Sequence, residues 1–170
     1  MNNVANLRLQ AAITECSKHF RYLFEAMESL HPSYPFQGNL FEQLNSLEVR
    51  SIDQFILRFS KVQDAMGLRL FPAVLAVIQE DFEEKPMIDK LNRLEKLGYL
   101  HDARQWQTLR NVRNQLTHEY PDDPQKNAAN LNLAFRSAIP LYQMYEKLID
   151  VLSTTLPNYS SVRFQIPTWL

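Results

Sequence analysis

The sequence predicts an all-α protein, an up-and-down bundle of four to five helices with an extended C-terminal tail. Three observations lead there. Apolar residues recur at helical spacing over long stretches, and no segment alternates in the manner of a strand. Glycine is scarce, with 3 in 170 residues, too few for the many tight turns of an all-β fold. The prolines cluster where the periodic stretches begin and end. The expected organisation is one helical domain over residues 1–153 and a tail over 154–170. Hydrophobic residues at 45% and charged residues at 22% are the balance of an ordinary globular chain with a real core.

The first helix is expected from about Val4 to Leu30, with Leu9, Ile13, Cys16, Phe20, Leu23, Phe24 and Met27 on one stripe. His31-Pro32-Ser33-Tyr34-Pro35 stops it, because proline cannot continue the ladder and disfavours helix at the residue before it. A second helix is expected from about Asn39 to Met66, carrying Phe41, Leu44, Leu47, Ile52, Phe55, Ile56 and Phe59. Gly67 predicts a break. The helix then resumes from Leu68 to about Glu83, with Pro72 in its first turn and Phe71, Leu75 and Ile78 facing inward.

A short third segment follows from Lys85 to Leu97, opened by Pro86 and capped by Gly98. Asp102 caps a fourth, whose core stripe is Ala103, Trp106, Leu109, Val112 and Leu116, and Tyr120-Pro121 ends it. Asp123 and Pro124 open the last helix, expected to run to about Ser153 with a kink at Pro140. Its stripe is Leu131, Leu133, Phe135, Ile139, Tyr142, Tyr145, Leu148 and Ile149. The tail carries Tyr159, Phe164 and Trp169, and its pattern leaves open whether it packs as an arm or stays disordered.

Composition removes several function classes. With so few glycines there is no glycine-rich phosphate loop of the P-loop or dinucleotide type. A net charge of −1 encodes no wholesale nucleic-acid affinity, although a local basic cleft stays possible. Cys16 is the single cysteine, so no intrachain disulfide and no multi-cysteine zinc site forms, and its apolar neighbours predict a buried structural thiol. His19, His31 and His101 are scattered without metal-ligand spacing, so no metal is expected. Asp81, Glu83 and Glu84 read as a solvated helix end, with Glu80 and Glu84 as a conceivable carboxylate pair. Arg50, Arg58, Lys61 and Arg69 read as surface charge that could extend a nucleic-acid footprint. No signal-peptide pattern is seen in residues 1–9 and no apolar run reaches 18 residues, so a cytoplasmic protein with no membrane span is expected.

Chemistry concentrates on the fourth helix. At about 100° per residue, Asn114 and His118 lie one above the other, nearly opposite the apolar stripe. Arg110, Arg113 and Thr117 fall between the two faces. Such a face suits phosphodiester cleavage without a metal. Arginine offers a planar fork of donors to phosphate oxygens, and histidine can take or give a proton near neutrality. RNA is the natural substrate because its 2′-hydroxyl is a built-in nucleophile. On this reading Arg110 and Thr117 bind substrate, and a second subunit or partner must close a site over the exposed face.

The stretch Arg113-Asn114-Gln115-Leu116-Thr117-His118-Glu119-Tyr120 resembles the signature of HEPN domains: an arginine, usually followed by a polar residue, then a histidine after four to six positions. With Tyr120 two residues past the histidine it is similar to HepT toxins, the partners of minimal nucleotidyltransferase antitoxins. The broader likeness spans roughly Leu7 to Leu152, the specific residues only Arg113 to Tyr120. The resemblance implies a homodimer with a composite cleft that cleaves RNA with no cofactor. It implies Arg113 and His118 as the catalytic pair, Asn114 in support, and Tyr120 as the tyrosine that the cognate nucleotidyltransferase modifies with AMP to silence the toxin. The alternative is a non-catalytic subunit that presents substrate to a nucleotidyltransferase or acts as an antitoxin-like partner.

Overall fold

The computed structural model describes residues 3–39, 44–80, 82–118, 123–156, 159 and 163–169. Among them every regular element is helical, and no helix is long and apolar enough to cross a membrane. The elements are α1 (Asn3–Leu30), α2 (Ser46–Ala65), α3 (Phe71–Val77), α4 (Met87–Lys96), α5 (Ala103–Leu116) and α6 (Pro124–Thr155). A π-helical turn, Met66–Leu70, joins α2 to α3 without interruption, so the chain forms an all-α bundle of five rods. Phe41, Asp81, Tyr120 and Leu170 lie outside the described residues.

Local chemistry explains most boundaries. Asn45 caps α2 through a capping box: its side chain accepts from the Leu47 and Glu48 amides, and Glu48 accepts from the Asn45 amide. α2 therefore starts later than the expected Asn39. Pro86 opens α4. Gly98 closes it with φ +80°, where the Tyr99 amide reaches back to the Leu94 carbonyl. Asp123 accepts from the Lys126 amide at the head of α6, with Pro124 next in line. Pro140 lies inside α6 and leaves the Arg136 carbonyl without its intrahelical donor.

Gly67 does not break the helix. A Cβ at Gly67 would come within 3.0 Å of Trp106 Cζ2, so the glycine admits the Trp106 ring against the rod. The π turn is the backbone's answer at the same place, one extra residue accommodated within a continuous helix. Trp106 is buried and packs edge-on against Phe71, 4.9 Å between centroids. Helix α3 ends at Val77 rather than Glu83, because Gln79 turns the chain with φ +62°. Gly67→Val should lower stability by about 1–3 kcal/mol through overpacking. Gly67→Ala should cost far less, since better helix propensity returns about 1 kcal/mol. Urea midpoints of the two variants check this, and equal midpoints would refute the close-approach reading.

One core joins α1, α2 and α6. Phe20 packs on Tyr142 and Tyr145 at 5.0 and 5.1 Å, and Phe55 meets Phe135 at 4.2 Å. The Tyr145 hydroxyl, buried, shares a 2.9 Å hydrogen bond with Ser17. Leu133 departs from its expected stripe and is exposed, since it sits two residues from both Leu131 and Phe135 on a helix of period 3.6. Cys16 is fully buried, and burial pushes its thiol well above the ordinary range, as a structural thiol requires. The described part of the tail packs on the bundle. Trp169 stacks on His31 at 4.2 Å, the Phe164 amide donates to the Tyr142 hydroxyl, and the Tyr159 hydroxyl meets Asn6.

Arg58 and Arg69 serve this packing. Arg58 lies over the Tyr22 ring and meets His19 Nδ1 at 3.0 Å, while Arg69 pairs with Glu15. Glu80 pairs with Arg93, not with a second carboxylate. Three groups then set an acid dependence. Burial, aided by the Arg58 charge, holds the His19 pKa below its ordinary 6.5. Bonds from the Ser33 hydroxyl and the Asn45 amide lower Glu48, and a bond from Arg93 lowers Glu80, each below an ordinary 4.5. In all three the unfolded chain takes up its proton at higher pH than the folded one, so acidification favours unfolding. Stability should be flat above pH 6.5, fall first as His19 protonates, and fall again below 4.5. Urea midpoints measured from pH 8 down to 4 check this; a midpoint that rises between pH 7 and 5 contradicts it.

Candidate functional site

Helix α5 presents the chemically capable face, and its sequence explains why. Ala103, Trp106, Leu109, Val112 and Leu116 are all buried and fix the rotation of the helix. Over Ala103–Leu116 the remaining positions hold three arginines, three glutamines, two asparagines and a threonine, and no acid. Arg110 and Arg113, three apart, stand on one side of the helix.

Both guanidinium groups converge on Asp64, which the sequence pattern did not single out. Arg110 Nη1 donates to Asp64 Oδ1 at 3.3 Å, and Arg113 Nη2 donates to Oδ2 at 3.2 Å. All three side chains are between about a fifth and a third exposed. One carboxylate against two guanidiniums leaves an excess positive charge at a half-buried place, where solvent screens less than at the open surface. The Arg113 Nε is buried and has no partner among the described residues. Beside Asp64, the buried Gln63 donates to the Leu109 carbonyl at 3.3 Å and ties α2 to α5. Gln63 and Asp64 lie within one turn of Gly67. The close approach of Trp106 at Gly67 and the Asp64 clasp therefore belong to one α2–α5 contact.

The C-terminal end of α5 corrects the expected geometry. The helix stops at Leu116, not at Tyr120. The Thr117 hydroxyl donates to the Asn114 carbonyl at 3.0 Å, and Asn130 of α6 donates to the Gln115 carbonyl at 3.3 Å. These bonds satisfy carbonyls that a longer helix would have used. The His118 amide reaches only to the Gln115 carbonyl, at 3.3 Å, the tighter pattern of a last turn. His118 is thus exposed just past the helix and not in register above Asn114 on a continuous one.

The predicted residues therefore fall into two groups. Arg110 and Arg113 are brought together on Asp64. Asn114 is exposed and lines, with Arg110, a groove of about 790 Å³ bounded by the π turn, α4 and α5. Thr117 and His118 follow at the helix end, outside that groove. Among the described residues no group of three His, Cys, Asp or Glu side chains is placed to hold a metal ion.

Comparison of the chain with protein-family models, with curated proteins and with solved structures returned no match.

Proposed function

We propose that this chain is a metal-independent endoribonuclease of the HEPN type, the toxin subunit of a pair with a minimal nucleotidyltransferase. The observation that carries the reading is the pair of half-buried guanidiniums, Arg110 and Arg113, on an acid-free helix that delivers His118 exposed at its end. Arg113 binds the scissile phosphate and the charge that builds on it. His118 moves a proton at the ribose hydroxyl or the leaving oxygen, and Asn114 supports the substrate. A second copy closes the cleft over the exposed α5 face, forming a homodimer. Tyr120, two residues beyond His118, is the site at which AMP modification adds bulk and negative charge beside the cleft and silences it. The test is RNA cleavage by the purified protein in excess chelator. Cleavage that is lost in His118→Ala supports the reading; cleavage that needs a metal and survives the substitution ends it.

Asp64 favours a second reading. A carboxylate that already neutralises one of the two arginines suits a site that binds without cutting, as in a subunit presenting substrate to a nucleotidyltransferase. That reading expects no cleavage under any condition and a stable complex with the enzyme encoded beside it.

A further inference from the structure

The groove beside the arginine pair has features that the cleavage chemistry does not use. Its apolar walls include Leu68 and Ile88, 71% and 54% exposed, with the edge of Trp106 behind them. Along its rim run exposed amides on one face of α5: Gln107, Asn111 and Asn114. Gln107 Nε2 donates to Asn111 Oδ1 at 3.0 Å. That bond leaves the Gln107 carbonyl oxygen and the Asn111 amino group to offer an acceptor and a donor side by side. Gln63 also lines the groove. It is fully buried, and its Oε1 has no partner among the described residues. A buried acceptor left without a donor costs free energy and marks a place where a ligand's donor would be welcome.

Apolar walls, a rim of amides and a buried acceptor match a flat molecule with apolar faces and hydrogen-bonding edges. Unpaired nucleobases have that chemistry, and single-stranded RNA is read through such splayed bases. The charges agree: Arg104 and Arg110 line the groove against the one carboxylate of Asp64. We propose that this groove seats an unpaired nucleobase of the RNA next to the one being cleaved, and that Gln63 selects a base carrying an exocyclic amino group over uracil. Adenine, cytosine and guanine present such a donor, and uracil does not. The inference rests on RNA being the substrate.

The test uses fluorescein-labelled hexanucleotides of adenine, cytosine and uracil with 2′-O-methyl sugars, which block the internal nucleophile, binding to the full chain at low salt. Anisotropy should show the adenine and cytosine oligomers binding about tenfold tighter than the uracil one, the size of one good base contact. Gln63→Met should bring the three within about twofold of one another without weakening the uracil oligomer. Gln107→Ala with Asn111→Ala, both at exposed positions and so independent of folding, should weaken all three several-fold. Equal affinity of the wild type for the three oligomers, or no binding at all, overturns the proposal. So does discrimination that survives both variants. The two readings fail separately. Chelator-resistant cleavage that depends on His118, without base discrimination, removes the groove and keeps the ribonuclease. Discrimination by a chain that cuts nothing keeps the groove and removes the ribonuclease.

Discussion

His118→Ala should slow RNA cleavage by about 10²–10⁴-fold, the usual contribution of a positioned acid or base, with the fold intact because the side chain is exposed past the end of α5. Arg113→Ala should cost about 10²–10³-fold, as loss of a donor aimed at developing charge does. Its effect on the fold should be larger than that of His118→Ala, because Arg113 is about one-fifth exposed and paired with Asp64. Arg113→Lys keeps the charge but loses the planar fork, so it should restore only part of the rate. Asp64 provides the internal control. Asp64→Asn removes the carboxylate that competes with RNA phosphate, so KM should fall. It also releases the two guanidiniums from their shared anchor, so kcat should fall as well. A KM and kcat that move in the same direction distinguish a positioning residue from a merely structural one, whose loss would lower active protein and leave KM alone. Steady-state cleavage of a labelled RNA by the four variants, each checked for native helicity, decides among these outcomes.

Phe135→Ala should be the most destabilising single change considered, at about 3–5 kcal/mol. Its side chain is fully buried at the meeting point of three segments. It stacks on Tyr34 at 5.6 Å, meets Phe36 edge-on at 4.9 Å and touches Phe55 of α2 at 4.2 Å. The segment bearing Tyr34 and Phe36 is also held by Asn132, one turn earlier on α6, which donates to the Phe36 carbonyl and accepts from the Phe36 amide. Truncation leaves a cavity that aromatic neighbours on three separate segments cannot collapse to fill. In a domain whose total stability is about 5–15 kcal/mol, the variant should melt roughly 10 °C lower. Phe135→Leu should lose much less, because most of the volume stays. A Phe135→Ala protein that melts within 2–3 °C of wild type would contradict the view that this cluster holds the α1–α2 connection to α6.

Much of the fold was legible in the chain because its causes are local. Periodic stripes such as Leu9, Ile13, Cys16 and Phe20 depend on residues within a turn or two of one another. Caps such as Asp102, Asp123 and Gly98 act over two or three residues, and all three stand where the helices begin or end. The α5 stripe was equally readable, and with it the fact that Arg110, Arg113 and Asn114 avoid the core.

Two features were decided only in three dimensions. Gly67 by itself reads as a helix break, since glycine disfavours helix. Its actual role depends on an indole 39 positions away in sequence that needs the space a Cβ would fill. The second is the site's charge balance. Asp64 is an unremarkable acid in the α2 sequence, and nothing within a turn of it marks a partner. It meets Arg110 and Arg113 because α2 and α5 pack closely at the π turn, across 46 and 49 residues of chain. The one local hint was Gln63, a polar residue on a stripe otherwise held by Phe55, Phe59 and Val62. The stretch from Arg113 to His118 named the reacting groups. Where α5 stops depended on bonds from Thr117 and from Asn130 on α6, and pairing across helices set which arginines stand together. The sequence by itself determined the all-α class, the caps and the exposed polar face of α5. The tertiary structure alone decided the end of that helix, the Asp64 clasp and the groove beside it, because each requires groups that meet only when distant helices pack.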